Sequence, residues 1–406
     1  MSKHSSHFRT AIIVTAIFVA IVAFHPAAAQ KHYGPGVTDT EIRIGNVMPY
    51  TGLSHDFGAV GKAEAAYFQM INDKRGVNGR MIKFISLDSG SSPAQIDSLA
   101  RKLVEVDNVL LIFSTFGTEG NLAMRPYMND HKVPQIFLDS ASAAFDDPAH
   151  YPWTMGFFTT FRDEGRAYAN YILQNKPEAK IGILYENDDS GREYLAGVHS
   201  VFGDRAARMI VQELPYNVAD PSIEPRIHEL KDSGADVFFN FSIGVFTTRA
   251  IRAAYDMEWR PMQFIPNASL SVAAFIDPAG LDAAQGIFCN ARSKGWWTTA
   301  AQFDPAVREF VNWMQQYNPD APLRDQNYVA GYERAQVLVE VLKECGDELT
   351  RENVMRKATH LNLELGILRP GITITTSPND YQPIKKLFMI QFQGNEWTAV
   401  GPITSR

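Results

Sequence analysis

"EIRIGNVMPYTGLSHDFGAVGKAEAAYFQMINDKRG", residues 41–76, runs from a strand through a glycine-containing turn into a helix. Its first eight residues are rich in Ile, Val and Met and read as a strand. Further along, apolar residues fall at Ala63, Ala66, Tyr67, Met70 and Ile71, the stripe of an amphipathic helix, which Gly76 closes. "MIKFISLD" at 81–88 is the next strand. A strand, a helix and a second strand in that order imply parallel pairing with a helix on the sheet face.

The end of that turn, GAVGK at 58–62, looks like a piece of a phosphate-binding loop. Such a loop requires G-x-x-x-x-G-K-[ST], whose last hydroxyl reaches magnesium. Here Lys62 is followed by Ala63, and Asp56 and Phe57 stand where the first glycine would fall. The dinucleotide fingerprint fails as well, because Gly52, Gly58 and Gly61 are spaced G-x5-G-x2-G. The turn belongs to an α/β chain that does not carry nucleotide chemistry there.

Outward from this unit the rhythm repeats. "SPAQIDSLARKLVEVD" (92–107) reads as a helix with apolar positions at Ile96, Leu99, Leu103 and Val106, while "VLLIFS" and "VPQIFLDS" read as strands. After the aromatic segment "YPWTMGFFTTF" (151–161) a second series begins, with strands at "KIGILYE", "RMIVQELPY", "ADVFFNFS" and "QFIPN" separated by helical stretches. Two more helices follow residue 290, then an amphipathic "TRENVMRKATH" and a C-terminal β region "KLFMIQFQGNEW" with a turn at Gly394 and Asn395. The pattern predicts two related α/β lobes.

Composition narrows the function. The 406 residues are 45% hydrophobic and 20% charged, with a net charge of -7, so the chain is globular and has no basic surplus for nucleic acid. Lys3 and Arg9, the 14-residue apolar run "AIIVTAIFVAIVAF" and small residues at Ala27 and Ala29 form a secretory signal, with cleavage expected after Ala29. An uncleaved anchor is the alternative, though the run is short for a span. Cys289 and Cys345 are the only cysteines; export permits a bridge between them, and two buried thiols in separate elements is the other reading.

Catalytic patterns are missing: there is no G-x-S-x-G, no H-E-x-x-H and no recognisable Cys/His frame. No metal site is expected, since the histidines are scattered and Asp146-Asp147 and Asp188-Asp189 sit in turn contexts. The loops after the strands are more informative. "FSTFGTEGN" and "DSASAA" are rich in small and hydroxyl residues, and their backbone N–H groups with the Thr118 and Ser142 hydroxyls suit a carboxylate near helix starts.

The order of "IRIGNVMPYTGLSHDFG", "INDKRGVNGRMIKFISLD", "VPQIFLDSAS", "ILYENDDSGREYLAGV", "ADVFFNFS" and "GLDAAQGIF" resembles type I periplasmic substrate-binding proteins of ABC transporters, in the branched-chain amino acid (Leu/Ile/Val) group. Phrases such as "PWTMG", "LTREN", "LRPGI" and "TSPNDYQPIKK" are similar to members for aromatic or other hydrophobic carboxylates. The resemblance implies two Rossmann-like lobes with parallel-rich sheets joined by a three-crossover hinge. It places lobe 1 at 30–160 plus 290–380 and lobe 2 at 161–289 plus 381–406. It also implies no enzyme activity, no cofactor, a monomer in the periplasm, and delivery of a small-molecule ligand to a membrane permease and its ATPase. A ligand sensor feeding a membrane receptor uses the same fold.

Residue by residue, the resemblance puts Phe57 at the pocket mouth and the ligand carboxylate on Gly117, Thr118, Ala141 and Ser142. Where amino-acid binders place an acid for the ligand ammonium, "IPNAS" presents Asn267; Phe161 and Ile243 replace further polar or aromatic positions. An ammonium buried without a counter-charge is heavily penalised. Phe57, Phe116, Phe161, Ile243 and Phe246 would line an apolar, partly aromatic pocket. The expectation is an organic acid without an α-amino group, with an amino acid as the alternative.

Overall fold

The computed structural model describes residues 31–296 and 301–403; the signal peptide expected over 1–29 lies outside them. The first sheet has four parallel strands, β1 (Glu41–Met48), β2 (Met81–Asp88), β3 (Leu111–Phe113) and β4 (Gln135–Ile136), in the order β2-β1-β3-β4. β1 is fully paired with β2, from Glu41 opposite Met81 to Met48 opposite Asp88. Its Ile42, Ile44 and Val47 are fully buried, as the run of apolar residues in a covered parallel strand requires.

The second sheet contains β5 (Ile181–Glu186), β6 (Ile210–Tyr216), β7 (Val237–Phe241), β8 (Met262–Phe264) and β9 (Phe288–Ala291), all parallel, in the order β9-β8-β7-β5-β6. The C-terminal β region forms a hairpin, β10 (Leu387–Gln393) and β11 (Glu396–Ile403), which adds antiparallel strands beyond β9. The fold is therefore the α/β, parallel-rich architecture expected.

Two separate cores define the lobes. One holds Ile42 to Phe157 and then Trp296 to Ile384; the other holds Phe161 to Phe288 and Met389. The chain crosses between them near residues 160, 292 and 385. At the first crossing the Phe161 N–H donates to the Ala141 carbonyl at 2.8 Å. At the third, the Thr159 hydroxyl donates to the Ile384 carbonyl at 3.0 Å.

The helices that shape the cleft are α1 (Gly58–Asp73), α2 (Pro93–Glu105), α3 (Thr118–Asp130), α4 (Phe161–Asn175), α5 (Asp189–Phe202), α6 (Glu224–Asp232) and α7 (Val245–Asp256). The long α9 (Gln326–Cys345), which follows α8 (Pro305–Tyr317), returns to pack along α1. Gly61 earns its place in α1 by contact, because a Cβ there would strike the Tyr50 hydroxyl and crowd the Met48 side chain at 2.9 Å. That is the use the turn makes of a glycine that resembled phosphate chemistry.

Two local expectations change. "VPQIFLDS" forms a strand only over Gln135–Ile136, since Phe137 takes a positive φ of 55° and turns the chain out of the ladder, and Asp139 then makes a single parallel bridge to Phe116. Cys289 and Cys345 are free thiols buried in different cores, so no bridge joins them.

Candidate functional site

The lobes enclose a cavity of about 450 Å³ at the carboxyl ends of the strands, the position in which open α/β sheets hold ligands. Its lobe 1 wall begins with Phe57, at the N-terminus of α1. The Phe57 ring stacks on Phe116 with centroids 4.8 Å apart and meets Phe275 of lobe 2 at 5.5 Å. Phe57 is thus a contact across the cleft as well as part of its lining.

Below it, Gly117 adopts φ 90°, ψ 157° and starts α3. The first-turn N–H groups of a helix lack intrahelical partners, and Gly117, Thr118, Glu119 and Gly120 all border the cavity. The Thr118 hydroxyl shares a hydrogen bond with Ser140 at 2.8 Å. Ala141 also borders the cavity. The Gly117 N–H donates to the Asp139 carbonyl at 3.1 Å, and the N–H groups that follow it offer donors and the positive end of a helix dipole to an anion.

Ser142 departs from the expectation. It does not border the cavity, and its hydroxyl donates to Glu193 on α5 at 2.5 Å. The Ala143 N–H donates to the same carboxylate at 2.9 and 3.1 Å. A carboxylate of the protein itself fills that donor pair, because α5 brings it across from lobe 2. Burial pushes the Glu193 carboxyl pKa up, opposed by the Ser142 and Ala143 hydrogen bonds.

In lobe 2, Phe161, Ile243, Phe246 and Asn267 border the cavity. Phe246 lies beside Tyr216 at 4.7 Å between centroids. Both ends of the Asn267 side chain are engaged: its Nδ2 donates to the Asn290 carbonyl at 2.7 Å and its Oδ1 accepts from Arg292 at 3.0 Å. Amide chemistry is required there, since one end must donate and the other accept.

Three bordering residues, Glu164, Arg292 and Glu186, and the buried Arg334 were not legible beforehand. Glu164 is buried, and its carboxylate accepts from the Asn267 N–H at 2.7 Å, Asn290, and the Tyr168 and Tyr194 hydroxyls at 3.0 and 2.8 Å. Burial raises its pKa, opposed by these donors. Arg292 donates to the buried Glu333 carboxylate at 2.8 Å and lies over the Phe158 ring at 4.6 Å. Arg334 lies 5.0 Å from that ring and pairs with Asp139 at 2.7 Å. Glu186 accepts from the Tyr216 hydroxyl at 2.6 Å, and burial pushes its pKa up to about 7. Sequence spacing signals none of these; they converge from separate crossovers and strands.

The lobes meet in several places around the cavity. The Ser271 hydroxyl donates to Asp325 at 2.7 Å, and the Val272 N–H donates to Gln326 at 2.7 Å. Among the described residues there is no group of three or more His, Cys, Asp or Glu placed to hold a metal, and no helix long and apolar enough to cross a membrane.

Comparison with known proteins places this geometry. The family described as periplasmic binding protein matches residues 41–396. No curated protein matches the sequence significantly. Solved structures share the fold at low identity. A branched chain amino acid ABC transporter from Thermus thermophilus with bound valine superposes with a TM-score of 0.81 at 17% identity, covering 91% of this chain and 97% of that one. A fatty acid ABC transporter substrate-binding protein from Thermomonospora curvata gives 0.80 at 20% identity, covering 93% and 95%. An R. palustris solute binding protein in complex with benzoate gives 0.74 at 17% identity, covering 89% and 96%. With the family match running through both lobes and the fold shared over nearly the whole chain, the protein belongs to the type I periplasmic binding protein family.

Proposed function

We propose that the protein is an extracytoplasmic solute-binding protein that captures a small organic acid, an aromatic or hydrophobic carboxylate, between its lobes and delivers it to an ABC importer. The observation that carries this reading is the pairing of the helix start that follows Gly117, with Thr118 and Ala141, and the rings of Phe57, Phe116, Phe161 and Phe246 around one cavity. Such a cavity orients a carboxylate at one end and desolvates a ring or acyl chain at the other. Relatives of the same fold are named for fatty acid, valine and benzoate ligands, so the fold itself accommodates each class.

Against an amino acid stands the state of the nearest acids. Glu164 already takes four donors, and Asn267 is neutral and engaged. At the position where amino-acid binders place an acid, an α-ammonium would therefore meet a neutral amide. Binding contacts from both lobes favour the closed arrangement by population shift.

Isothermal calorimetry against leucine, benzoate, cinnamate and a medium-chain fatty acid tests the reading. Binding of at least one non-amino carboxylate, with leucine silent, is expected; tight leucine binding with no response to the others would overturn it. Whether the captured ligand goes to an importer or to a receptor is decided by co-purification with a permease from native membranes.

A further inference from the structure

Gln326 opens α9 and borders the cavity from lobe 1, with only 6% of its surface exposed. Its Oε1 accepts the Val272 N–H of lobe 2 at 2.7 Å. Its Nε2 is closed to solvent and has no hydrogen-bond partner among the described residues. The amide cannot be turned round to relieve this, because Nε2 would then face the Val272 N–H, donor against donor. Neither water nor the protein satisfies Nε2, and a buried donor left unmatched is costly.

The lobe 1 wall leads from the anion site to this amide. Gly117 follows Phe116, whose ring stacks on Phe57. The Asp56 carbonyl, next to Phe57, accepts from Asn327 Nδ2 at 3.3 Å, and Asn327 follows Gln326. An acid held at the helix start after Gly117 and laid along the Phe116 and Phe57 rings therefore extends towards Gln326. Resting on the carboxylate reading above, we infer that Gln326 is a specificity-determining residue, whose Nε2 donates to a carbonyl oxygen carried by the ligand at the end remote from its carboxylate. The ligand enters while the lobes are parted, and closure over it restores the Val272 bond with Nε2 turned on that carbonyl.

A carbonyl suits this position better than other polar groups. It accepts without a proton of its own to place, whereas a hydroxyl brings one and the Gln326 oxygen is already occupied by Val272. A second carboxylate would add a charge that a neutral amide does not balance, beside Asp325. An ammonium would set donors against a donor.

Calorimetry with pairs that exchange =O for =CH2 tests this: 4-acetylbenzoate against 4-isopropenylbenzoate, 4-acetylcinnamate against 4-isopropenylcinnamate, and 7-oxooctanoate against 7-methylideneoctanoate. Desolvation alone favours the hydrocarbon member of each pair. In at least one pair the carbonyl acid is nevertheless expected to bind about tenfold more tightly. That preference should vanish in Gln326→Met and Gln326→Leu, which lose the donor and keep an apolar wall. A role for Gln326 in closure alone would weaken both members alike, so a ratio unchanged in either folded variant would overturn the inference. Equal affinities, or a hydrocarbon preference, in every pair with the unsubstituted protein would overturn it while leaving the carboxylate reading intact. Absence of binding by every acid in the panel would overturn the carboxylate reading and this inference with it.

Discussion

The hydroxyl of Ser142, in the loop that follows the last strand of lobe 1, donates to the carboxylate of Glu193 on α5 of lobe 2 at 2.5 Å. A donor pair suited to a ligand carboxylate is thereby closed by the protein's own acid. The contact joins the two lobes beside the cavity, so it acts on closure.

Glu193→Ala should therefore weaken every ligand alike, by roughly three- to tenfold, and shift the ligand-free protein towards a more open shape in small-angle scattering. A change in preference among carboxylates, with overall affinity retained, would show instead that Ser142 touches the ligand.

Phe57 contributes from both sides, stacked on Phe116 in its own lobe and against Phe275 in the other. Truncation to Ala removes lining surface and a contact across the cleft. Affinity should fall by roughly ten- to a hundredfold in a titration followed by intrinsic fluorescence, with Phe57→Leu intermediate.

Asn267 sits where its donor faces the Asn290 carbonyl and its acceptor faces Arg292. Asn267→Asp would turn a carboxylate oxygen towards that carbonyl and add charge close to Glu164. Chemical denaturation should show a loss of about 1–3 kcal/mol, and calorimetry should show no gain of leucine binding. A variant that gains leucine affinity would place the side chain on the ligand.

Asp325 caps α9 and accepts from Ser271 across the lobes. Burial pushes its pKa up to about 6 from an ordinary 3.8, opposed by hydrogen bonds from Asn327 and Ser271. Because the folded pKa is the higher one, the folded protein binds more protons between those values, and stability declines as pH rises from about 4 to 6. Relative to Asp325→Asn, whose side chain keeps an acceptor, the wild type should lose on the order of 2–3 kcal/mol across that window and no more above it. Urea unfolding of both proteins at several pH values checks the sign.

Cys289 and Cys345 should resist a thiol reagent in the native state and both react after denaturation. Each is buried, each has its pKa raised chiefly by burial, and the two occupy different cores. A native titration that finds a disulfide would contradict this placement.

Much of the fold was legible because its signals are local. The strand at Glu41–Met48, the stripe from Ala63 to Ile71 and the later alternation of short apolar runs with helices follow from side-chain periodicity, which neighbouring residues fix among themselves. The failure at "VPQIFLDS" is equally physical: apolar content marked a strand, while the positive φ at Phe137 ended it. The candidate pocket rings were placed by resemblance, and Phe57, Phe116, Phe161 and Phe246 do border one cavity.

The sequence by itself determined two α/β series, the absence of the phosphate-loop residues and an apolar set around an N–H-rich turn. Only the tertiary structure decided which polar groups remain for a ligand. Glu164 and both ends of Asn267 are engaged within the protein, Ser142 is taken by Glu193, and Glu186 is held by Tyr216. Asn290 and Arg292 lie 23 and 25 positions from Asn267, Tyr216 30 from Glu186, Glu193 51 from Ser142 and Asn290 126 from Glu164. Hydrogen-bond availability in a buried cleft is settled by what three dimensions bring within about 3 Å, and no residue spacing along the chain encodes it.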